Sequence, residues 1–349
     1  MSRKVIFRCD AGHAPEIGTG HIARSKTLAN NLVEKGLLRR GDIVFYTRDD
    51  PDYDLGDKYL RESEFSYKVH SNFELEANSE SELMILKSLN ARMIIMDRLE
   101  TSEDLIKGLC SAGSKVVSFD DYGEGRVFAD LAISAIFDDV IETANLFSGY
   151  EYLVLSEELY VPKPVKKKLS NIVATFGGHD ARDLCQFFLE NLKNLSFACR
   201  VNIVLGSCDD YTLSKYTNYV LNNQLQDQVK FFIRPINYHE IISNADIAVT
   251  SGGLSIFEFA AYGVPSIGLP QYKHQLRTIE KLRDESISFL GSDGMRLSSD
   301  FFKDSFDKLV NNYNCRKKIA MNARRKVDGG GVNKITKLLT DKFPEIFNV

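Results

Sequence analysis

The sequence lacks a strong excess of charge of one sign, a membrane-spanning apolar run and the apolar core of a signal peptide. Lys plus Arg (44) nearly balance Asp plus Glu (48), and the net charge of −4 gives no whole-chain reason to bind nucleic acid or an anionic membrane. No stretch reaches the roughly 20 apolar residues of a membrane-spanning helix. The first apolar run, 5–7, stops at Arg8 and is too short for the core of a signal peptide. We therefore expect a cytoplasmic protein without an integral membrane segment.

Cysteine is sparse and scattered. The chain has six cysteines, none of them in a Cys-x-x-Cys pair and none near paired histidines. Metal sites and disulfide frameworks both need regular spacings that this chain lacks. We therefore predict reduced thiols that are buried or incidental, and neither a metal nor a cofactor.

What the chain does contain is a repeated alternation of strands and helices. At roughly 150 residues per domain, 349 residues correspond to about two domains, and the 44% of hydrophobic residues suffice for sizeable cores. Short apolar runs are followed by turns and by apolar residues at helical spacing, as at 22–35 and 81–89. The runs are 5–7, 43–46, 93–96, 116–119 and 131–133, and then 172–176, 201–205, 229–233, 247–250 and 267–269. This pattern predicts an α/β protein with doubly wound parallel sheets.

A break in the alternation marks the expected linker. Residues 157–168 combine Pro162 and Pro164 with a run of three lysines at 166–168, and prolines two apart cannot continue a helix or a central strand. Lysines without interleaved aromatic residues are a weak nucleic-acid signal, and we expect no nucleic-acid partner. We predict an N-terminal domain over 1–158, a C-terminal domain over 165–330, and a helical segment over 331–349 that packs back on the N-terminal domain. Two such halves leave a cleft, where ligands bind at the carboxyl ends of the strands.

The first strand-to-helix turn contains Gly18, Gly20 and His21. Glycines let a ligand approach the backbone, and a helix N-terminus offers amides with a partial positive charge. The spacing differs from the Gly-x-Gly-x-x-Gly dinucleotide fingerprint. The positive end of a helix disfavours an imidazolium ring, so His21 is suited to accept a proton; the alternative is a structural histidine that hydrogen-bonds the turn. Asp10, which ends the same strand, either orients His21 or caps the turn.

A second turn follows the first strand of the C-terminal half and repeats the glycine-then-helix arrangement. Gly177 and Gly178 can hold a diphosphate on their backbone amides. The alternative is a tight turn in which Asp180 caps the following helix.

The third turn, a serine followed by two glycines, again permits close approach of a phosphate. Glu258 lies about a turn and a half into the next helix, among apolar neighbours, where a carboxylate needs a partner. The two vicinal hydroxyls of a ribose would serve as that partner, and a salt bridge to Arg or Lys is the alternative. Another polar cluster follows the strand at 267–269. The candidate binding residues of this region are Ser251, Gly252, Gly253, Glu258, His274 and Gln275.

The motifs of the chain, taken together, resemble those of one enzyme family. They are RCDA at 8–11, IGTGHIAR at 17–24, TLA at 27–29, SFDD at 118–121, GYEYL at 149–153, FGG at 176–178, SGGLSIFE at 251–258 with Gln275, and DGGG at 328–331. This set, which spans almost the whole chain, resembles the UDP-sugar hydrolases of pseudaminic acid biosynthesis, which remove UDP from a 2,4-diacetamido-2,4,6-trideoxy sugar. The second-half motifs are shared with the peptidoglycan N-acetylglucosaminyl transferase and other GT-B enzymes that bind UDP-sugars.

The resemblance implies two Rossmann-like domains of the GT-B fold that face a central cleft, with the UDP site mainly in the C-terminal domain and no metal. It implies that His21 activates water for attack on the anomeric carbon of a UDP-sugar substrate, with inversion, in the biosynthesis of nonulosonic acids and surface polysaccharides. Asp10 is the expected catalytic partner of His21. Arg24 joins the glycine turns among the residues expected to bind the nucleotide or the sugar.

The chain departs from that family at two positions that face the sugar in the family's arrangement. Leu99 stands where the hydrolases have a tyrosine, two residues after an aspartate that ends a strand, and Phe257 stands where they often have asparagine. An insertion at 12–16 also lengthens the first turn. These differences keep two alternatives open. One is an inverting GT-B glycosyltransferase in which His21 deprotonates an acceptor hydroxyl, and the other is a non-catalytic protein that binds nucleotide sugars.

Overall fold

A computed structural model describes residues 4–12, 17–71, 74–136, 144–156, 160–192, 199–206 and 208–347. The chain divides into two compact units, one of Met1–Glu157 with Gly329–Val349 and one of Glu158–Asp328. The insertion at 12–16 and the predicted linker at 157–168 lie partly outside the described residues. Across the described ranges, no helix is both long enough and apolar enough to cross a membrane.

The first unit is a Rossmann-like domain with a parallel sheet of seven described strands in the order β3-β2-β1-β4-β5-β6-β7. The elements are β1 (Val5–Cys9), α1 (Gly20–Glu34), β2 (Ile43–Arg48), α2 (Leu55–Arg61), β3 (Ser66–His70), α3 (Glu80–Ser88), β4 (Met93–Asp97), α4 (Glu103–Ser111), β5 (Lys115–Phe119), β6 (Leu131–Ser134) and β7 (Leu146–Ser148). Short 3-10 helices lie at Arg40–Asp42, Glu124–Phe128 and Tyr150–Tyr152. Val5 of β1 stands opposite Ile43 on one side and Met93 on the other.

The apolar runs lie in the strands for which they were predicted. Every residue of β1, β2 and β4 is buried, as expected for strands covered on both faces by helices. The sequence does not predict β3 or β7, which are the two edges of the sheet. Neither edge strand has a fully buried residue, so neither contains the apolar run that identifies the others.

The second unit is also a Rossmann-like domain, with six described parallel strands in the order β10-β9-β8-β11-β12-β13. Its elements are β8 (Asn171–Thr175), α5 (Leu184–Leu192), β9 (Arg200–Leu205), α6 (Asp210–Asn222), β10 (Val229–Ile233), α7 (Tyr238–Ser243), β11 (Ile247–Thr250), α8 (Leu254–Tyr262), β12 (Ser266–Gly268), α9 (Lys273–Asp284), β13 (Ser288–Leu290), α10 (Ser299–Asn311) and α11 (Tyr313–Lys326). All five predicted runs lie in or overlap strands. Only β13, three residues long at the sheet edge, is missed.

The chain then returns to the first unit with α12 (Gly331–Lys342). Gly331 packs directly on the backbone, because a Cβ at this position would lie 2.0 Å from the carbonyl oxygen of Leu153. Thr336 donates a hydrogen bond to Asn31 of α1 at 2.8 Å. Apolar residues of the helix join the core of this unit, namely Val332, Ile335 and Leu339. The last helix is therefore part of the first unit's core.

In both sheets the strand order reverses beside the first strand of the unit. β1 has β2 on one side and β4 on the other, and β8 has β9 on one side and β11 on the other. In an open parallel sheet, such a switch point leaves a crevice outside the carboxyl ends of the strands. The turns after β1 and β4, and those after β8 and β11, lie at these crevices, which is where ligands bind in open parallel sheets.

Candidate functional site

His21 lies in the first turn of α1 and contacts a carboxylate from a neighbouring strand. Its Nδ1 is 2.7 Å from Oδ1 of Asp97, the last residue of β4. β4 pairs with β1 so that Asp97 stands opposite Cys9, at the end of the strand that precedes the turn. The His21 side chain is 12% exposed and that of Asp97 is 2% exposed. The switch point of the first sheet thus combines a buried carboxylate with an imidazole that reaches solvent.

Arg24, about one turn further along α1, holds Asp97 in place. Its Nε donates to Oδ2 of Asp97 at 2.7 Å, its Nη2 donates to Oδ1, and its Nη1 donates to Asp120. The Ser25 hydroxyl donates to Oδ2 of Asp97 at 2.9 Å. Burial alone would raise the pKa of Asp97, but the charge of Arg24 and the hydrogen bond from His21 lower that pKa to about 2. Asp97 is therefore ionised and fully hydrogen-bonded at neutral pH.

Asp120, which directly follows β5, anchors the other side of Arg24. Its φ of 45° lies in the left-handed region that aspartate tolerates. Its Oδ1 accepts hydrogen bonds from the backbone N–H groups of Ala135 at 2.7 Å and Ile136 at 3.1 Å. The predicted nucleotide-binding role of Arg24 does not fit this arrangement, because the side chain is buried and its guanidinium is engaged by two carboxylates. Arg24 instead positions the partner of His21.

The contact with Asp97 determines which nitrogen of His21 is available for chemistry. An ionised carboxylate can only accept a hydrogen bond, so Nδ1 of His21 carries a proton. In the neutral ring Nε2 is then unprotonated and can accept a proton. This is the arrangement of a general base whose ring is oriented, and whose charged form is stabilised, by a buried aspartate.

The prediction that Asp10 orients His21 is wrong. Oδ1 of Asp10 accepts from Nη1 of Arg8 at 2.7 Å and from the backbone N–H of Arg48 at 2.9 Å, and Oδ2 accepts from Nε of Arg48 at 3.0 Å. Residues two apart along an extended strand share a face, which brings Asp10 to Arg8. Arg8 is itself fully buried and donates to Glu82 at 2.8 Å. Asp10 therefore belongs to a buried ionic cluster rather than to the His21 pair.

The first glycine turn is open on its outer side. Gly18 and Gly20 flank Thr19, the residue that precedes α1. No described atom lies within 4 Å of the position that a Cβ on Gly18 would occupy. Packing within the protein does not require a glycine there, which suits the predicted close approach of a ligand.

The two glycine turns of the second unit lie next to each other at its switch point. Gly177 has a φ of 82°, in the left-handed region where glycine is strongly preferred. A Cβ on Gly177 would lie 3.7 Å from Oγ of Ser251. A Cβ on Gly252 would lie 2.7 Å from the carbonyl oxygen of Gln275, and one on Gly253 would lie 3.9 Å from Nε2 of Gln275. The turns after β8 and β11 and the start of α9 therefore converge, as the sequence predicts.

Two of the four helices that follow the switch-point strands, α1 and α8, begin without a side-chain cap. Side chains cap six of the described helices, through Ser79, Ser102, Asp180, Asp209, Ser298 and Asn312, whereas α2, α7, α9 and α12 have no side-chain cap. Asp180 accepts from the backbone N–H groups of Leu184 and Cys185 at 2.8 Å, so it acts as the cap of α5. Thr19 before α1 and Gly253 before α8 provide no side-chain cap. The first-turn amides of α1 and α8 can therefore bind a phosphate.

Glu258, on α8, has polar neighbours but no cationic one. Its Oε2 accepts a hydrogen bond from the Tyr238 hydroxyl at 2.8 Å, and that hydroxyl lies 3.1 Å from Oγ of Ser255. Burial raises the pKa of Glu258 to about 7, although hydrogen bonds with Tyr238 and Ser255 lower it in part. No Lys or Arg among the described residues forms an ion pair with it, so the salt-bridge alternative does not hold. Glu258 keeps acceptor capacity for another donor.

Sequence reasoning did not identify Tyr238 as a partner of Glu258. Tyr238 begins α7, shortly after β10, so it lies at the same edge of the sheet as the glycine turns. Its position after a predicted strand is the one signal that could have pointed to it. The burial of Tyr238 and its proximity to Glu258 raise the pKa of its phenol, which keeps it a hydrogen-bond donor.

The polar cluster at the start of α9 supports the glycine turns. Oε1 of Gln275 accepts from the backbone N–H of Gln271 at 2.9 Å. Nε2 of Gln271 donates to the carbonyl oxygen of Phe176 at 2.7 Å, in the turn after β8. His274 is partly buried beside the ring of Tyr272, with ring centroids 5.7 Å apart. Gln275 thus helps to join the turns after β8 and β12.

The two positions that depart from the hydrolase pattern have different environments. Phe257 is fully buried in the second unit, so its ring packs in the protein interior. Leu99 is partly exposed, two residues after Asp97. Of the two, only Leu99 presents a side chain to solvent near a residue of the candidate site.

Comparison with known proteins finds relatives along most of the chain, although no protein-family model matches it. The chain is 24% identical over 361 residues to the spore coat polysaccharide biosynthesis protein SpsG of Bacillus subtilis, a match that covers 96% of this chain and 97% of that protein. It is 26% identical over 330 residues to the uncharacterized protein MJ1062 of Methanocaldococcus jannaschii, which covers 86% of this chain. That match spans only 65% of the relative's length.

Solved structures share the fold over nearly the full length. Acinetobacter baumannii MurG matches with a TM-score of 0.67 and 15% identity, covering 97% of this chain and 99% of MurG. Anabaena Alr3699/HepE in complex with UDP and glucose matches with a TM-score of 0.60 and 12% identity, covering 97% of this chain and 99% of HepE. The predicted fold class is thereby confirmed: the chain has the two parallel-sheet, Rossmann-like domains of GT-B glycosyltransferase structures.

Proposed function

We propose that this protein is an enzyme that hydrolyses a UDP-activated amino sugar to UDP and the free sugar, with inversion at the anomeric carbon. The observation that carries this proposal is the contact of 2.7 Å between His21 and the ionised Asp97. A relative assigned to spore coat polysaccharide biosynthesis and a structural neighbour crystallised with UDP and glucose support nucleotide-sugar chemistry. The resemblance of the sequence motifs to the pseudaminic acid pathway hydrolases supports a diacetamido-trideoxy sugar or a related amino sugar as the substrate.

The second unit supplies the groups that would bind UDP. Glu258 has no cationic partner among the described residues and would accept hydrogen bonds from both ribose hydroxyls. The backbone of Gly252 and Gly253, with the open N-terminus of α8, would bind the diphosphate. These amides would also stabilise the negative charge that develops on the departing diphosphate.

The reaction needs one proton transfer and one displacement. Nε2 of His21 would take a proton from water as the water oxygen forms a bond to the anomeric carbon. The bond between that carbon and the diphosphate oxygen breaks, and its electron pair leaves with UDP. A single displacement inverts the configuration. Asp97 would stabilise the imidazolium that forms and needs no proton itself, since its pKa is about 2.

A glycosyltransferase is the second candidate, because the same pair can deprotonate an acceptor hydroxyl instead of water. Leu99 is the observation that favours it: this partly exposed side chain replaces a tyrosine that faces the sugar in the hydrolases. A change beside the sugar would suit a site that admits a larger nucleophile than water.

The decisive experiment incubates the purified protein with a panel of UDP-sugars and no acceptor. We expect UDP and free sugar in equal amounts, with the inverted anomer seen first by NMR. His21→Ala should lower turnover by roughly 10²–10⁴-fold. His70→Ala, which removes a histidine from the edge strand β3 of the same unit, should not. Inertness until an acceptor is added would assign the transferase. Tight UDP-sugar binding without turnover would make the protein a binding protein.

A further inference from the structure

A basic surface on the second unit plays no part in the proposed reaction. It consists of the segment 161–168 and helix α11, and we call it the basic surface. The segment contains four lysines, the helix contains six Lys or Arg residues, and neither contains Asp or Glu. The whole chain has a net charge of −4, so this concentration of positive charge runs against the overall balance.

Hydrogen bonds join the two parts of the basic surface into one face. Arg316 is 1% exposed. Its Nη2 donates to the carbonyl oxygens of Lys166 at 2.9 Å and Lys167 at 2.8 Å. Its Nη1 donates to the carbonyl oxygens of Leu309 and Val310 at the end of α10. The buried arginine thus fastens the segment to the helices, and the remaining cations are presented together.

Most of these cations are exposed and free of acidic partners. The exposed ones are Lys163, Lys166, Lys167, Lys168, Lys317, Lys318, Arg324, Arg325 and Lys326. Lys166 pairs with Asp246 at 2.8 Å and Lys326 pairs with Glu285 at 2.8 Å. The others form no ion pair with an acidic residue in the described part of the chain. The basic surface therefore keeps a net positive charge after these two ion pairs are counted.

Apolar side chains lie among these charges. A groove of about 220 Å³ runs between the segment and α11. Val165, Ala320 and Met321 line it together with the cationic Lys163, Lys317 and Arg324. Met321 of α11 is 62% exposed, and Val161, at the start of the segment, is 65% exposed. The basic surface thus offers both positive charge and accessible apolar area.

We propose that the basic surface docks this protein on a membrane that contains anionic lipids. Clusters of four to eight Lys and Arg residues bind anionic headgroups, and exposed apolar side chains among them gain by entering the headgroup boundary. A duplex nucleic acid would complement the positive charge of the basic surface, but it offers no apolar environment for Met321 and Val161. The net charge of the whole chain gives no reason to expect membrane contact. It averages over all residues and so does not reveal the positive charge that is concentrated on the basic surface.

Sedimentation with lipid vesicles tests the proposal. We expect binding to vesicles of phosphatidylcholine mixed with phosphatidylglycerol, weakening as salt increases, and no binding to phosphatidylcholine alone. At roughly fivefold per basic residue, the triple variant Lys317→Glu/Lys318→Glu/Arg325→Glu should lose about 100-fold or more in association constant. The matched triple Lys35→Glu/Arg39→Glu/Lys87→Glu changes the net charge equally on exposed residues of the first unit and should keep binding.

Two further measurements separate a membrane from another polyanion. Met321→Gln should weaken binding to the mixed vesicles while leaving any binding to a short DNA duplex unchanged. Tighter binding to the duplex than to the vesicles, equal binding to both vesicle types, or full vesicle binding by the triple variant on the basic surface would each overturn the proposal. Binding of the wild-type protein to the two vesicle types can be compared without any variant. That comparison therefore tests the proposal even if a variant fails to fold. In the absence of vesicles, both triple variants should release UDP from the UDP-sugar at the same rate. This measurement separates the membrane proposal from the catalytic one.

Discussion

Oδ1 of Asp97 lies 2.7 Å from Nδ1 of His21, although 76 positions separate the two residues in the chain. The same carboxylate accepts two hydrogen bonds from Arg24. Because its pKa is about 2, Asp97 keeps its charge throughout the neutral range. The pair therefore places a carboxylate of fixed negative charge beside the imidazole of His21.

Replacing Asp97 should lower turnover far more than replacing Asp10, the aspartate that lies nearest to His21 in the sequence. Asp97→Asn removes the acceptor that keeps the proton on Nδ1, and the asparagine amide can donate to that nitrogen and leave Nε2 protonated. We expect turnover to fall by about 10²–10⁴-fold. Asp10→Asn is the matched control, since it also removes a buried carboxylate bound by arginines but does not touch His21.

Steady-state rates and thermal unfolding of both variants, taken together, check this prediction. Both should lose stability, because each leaves a buried arginine with one partner fewer. Only Asp97→Asn should lose most of its turnover when assayed well below its unfolding temperature. Equal losses of turnover in the two variants would show that the buried charges act on the fold alone.

Arg24 should matter for stability at least as much as for catalysis. Arg24→Gln leaves Asp97 and Asp120 buried without their shared cation, and breaking a buried pair in this way costs about 3–5 kcal/mol. Arg61→Gln is the control, because Arg61 is an exposed arginine paired with Asp57 on α2. Urea unfolding should show a much smaller loss for the control. Equal free energies of unfolding for Arg24→Gln and wild type would contradict the prediction.

The same contacts predict how acid destabilises the first unit. The pKa of Asp97 is lowered to about 2 in the folded protein, against about 3.9 for an unperturbed aspartate. The unfolded chain therefore takes up this proton first as the pH falls, and the stabilisation from Asp97 is present above about pH 4 and is lost between pH 4 and pH 2. Arg24→Gln should reduce that part of the acid dependence, which unfolding measured across this pH range would reveal.

The alternation of apolar runs is enough to predict the central strands of both sheets, since strands buried on two faces are continuous apolar segments. It could not predict β3, because an edge strand with no fully buried residue has no such signal. The position of His21 at a helix start was also predictable from its glycine turn. Its partner was not, since only the reversal of strand order beside β1 places the end of β4 there. Asp10 was favoured by its proximity in sequence, but the strand turns it towards Arg8.

Glu258 should make UDP binding depend on pH. Burial raises its pKa to about 7, so the unliganded protein holds this carboxyl partly protonated at neutral pH. Ribose hydroxyls donate to a carboxylate, and binding therefore favours the charged form. UDP affinity should rise from about pH 6 to pH 8, and binding near pH 7 should release protons. Titration calorimetry in two buffers of different ionisation enthalpy measures that release.

Glu258→Gln separates this effect from the titration of UDP itself. The terminal phosphate of the nucleotide titrates near pH 6, and its contribution should remain in the variant. The release of protons near pH 7 should disappear. The sign for stability is the opposite of that for binding: between about pH 4.3 and pH 7 the folded protein holds a proton that the unfolded chain has lost. The unfolding free energy of wild type should therefore fall relative to Glu258→Gln as the pH rises through that range.

The ribose contact itself predicts discrimination between nucleotides. Losing one hydrogen bond to a charged acceptor costs about 1.5–3 kcal/mol, so wild type should bind 2′-deoxy-UDP roughly 10- to 150-fold more weakly than UDP at pH 8. Glu258→Gln should bind UDP more weakly and distinguish the two ligands less. Its thermal stability at pH 8 should not fall below that of wild type, because Glu258 has no cationic partner among the described residues to lose and the glutamine carries no buried charge.

Glu240→Gln is the matched control, since Glu240 is an exposed glutamate of α7, two residues after Tyr238. It should leave both affinities unchanged if the effect belongs to Glu258 and not to the local charge. Calorimetric titration of the two ligands into the three proteins decides the matter. Equal affinities of wild type for UDP and 2′-deoxy-UDP would remove Glu258 from the ribose. In that case the hydrogen bond from Tyr238 at 2.8 Å would be the main reason for a glutamate on α8, and the UDP site would have to rest on the glycine turns alone.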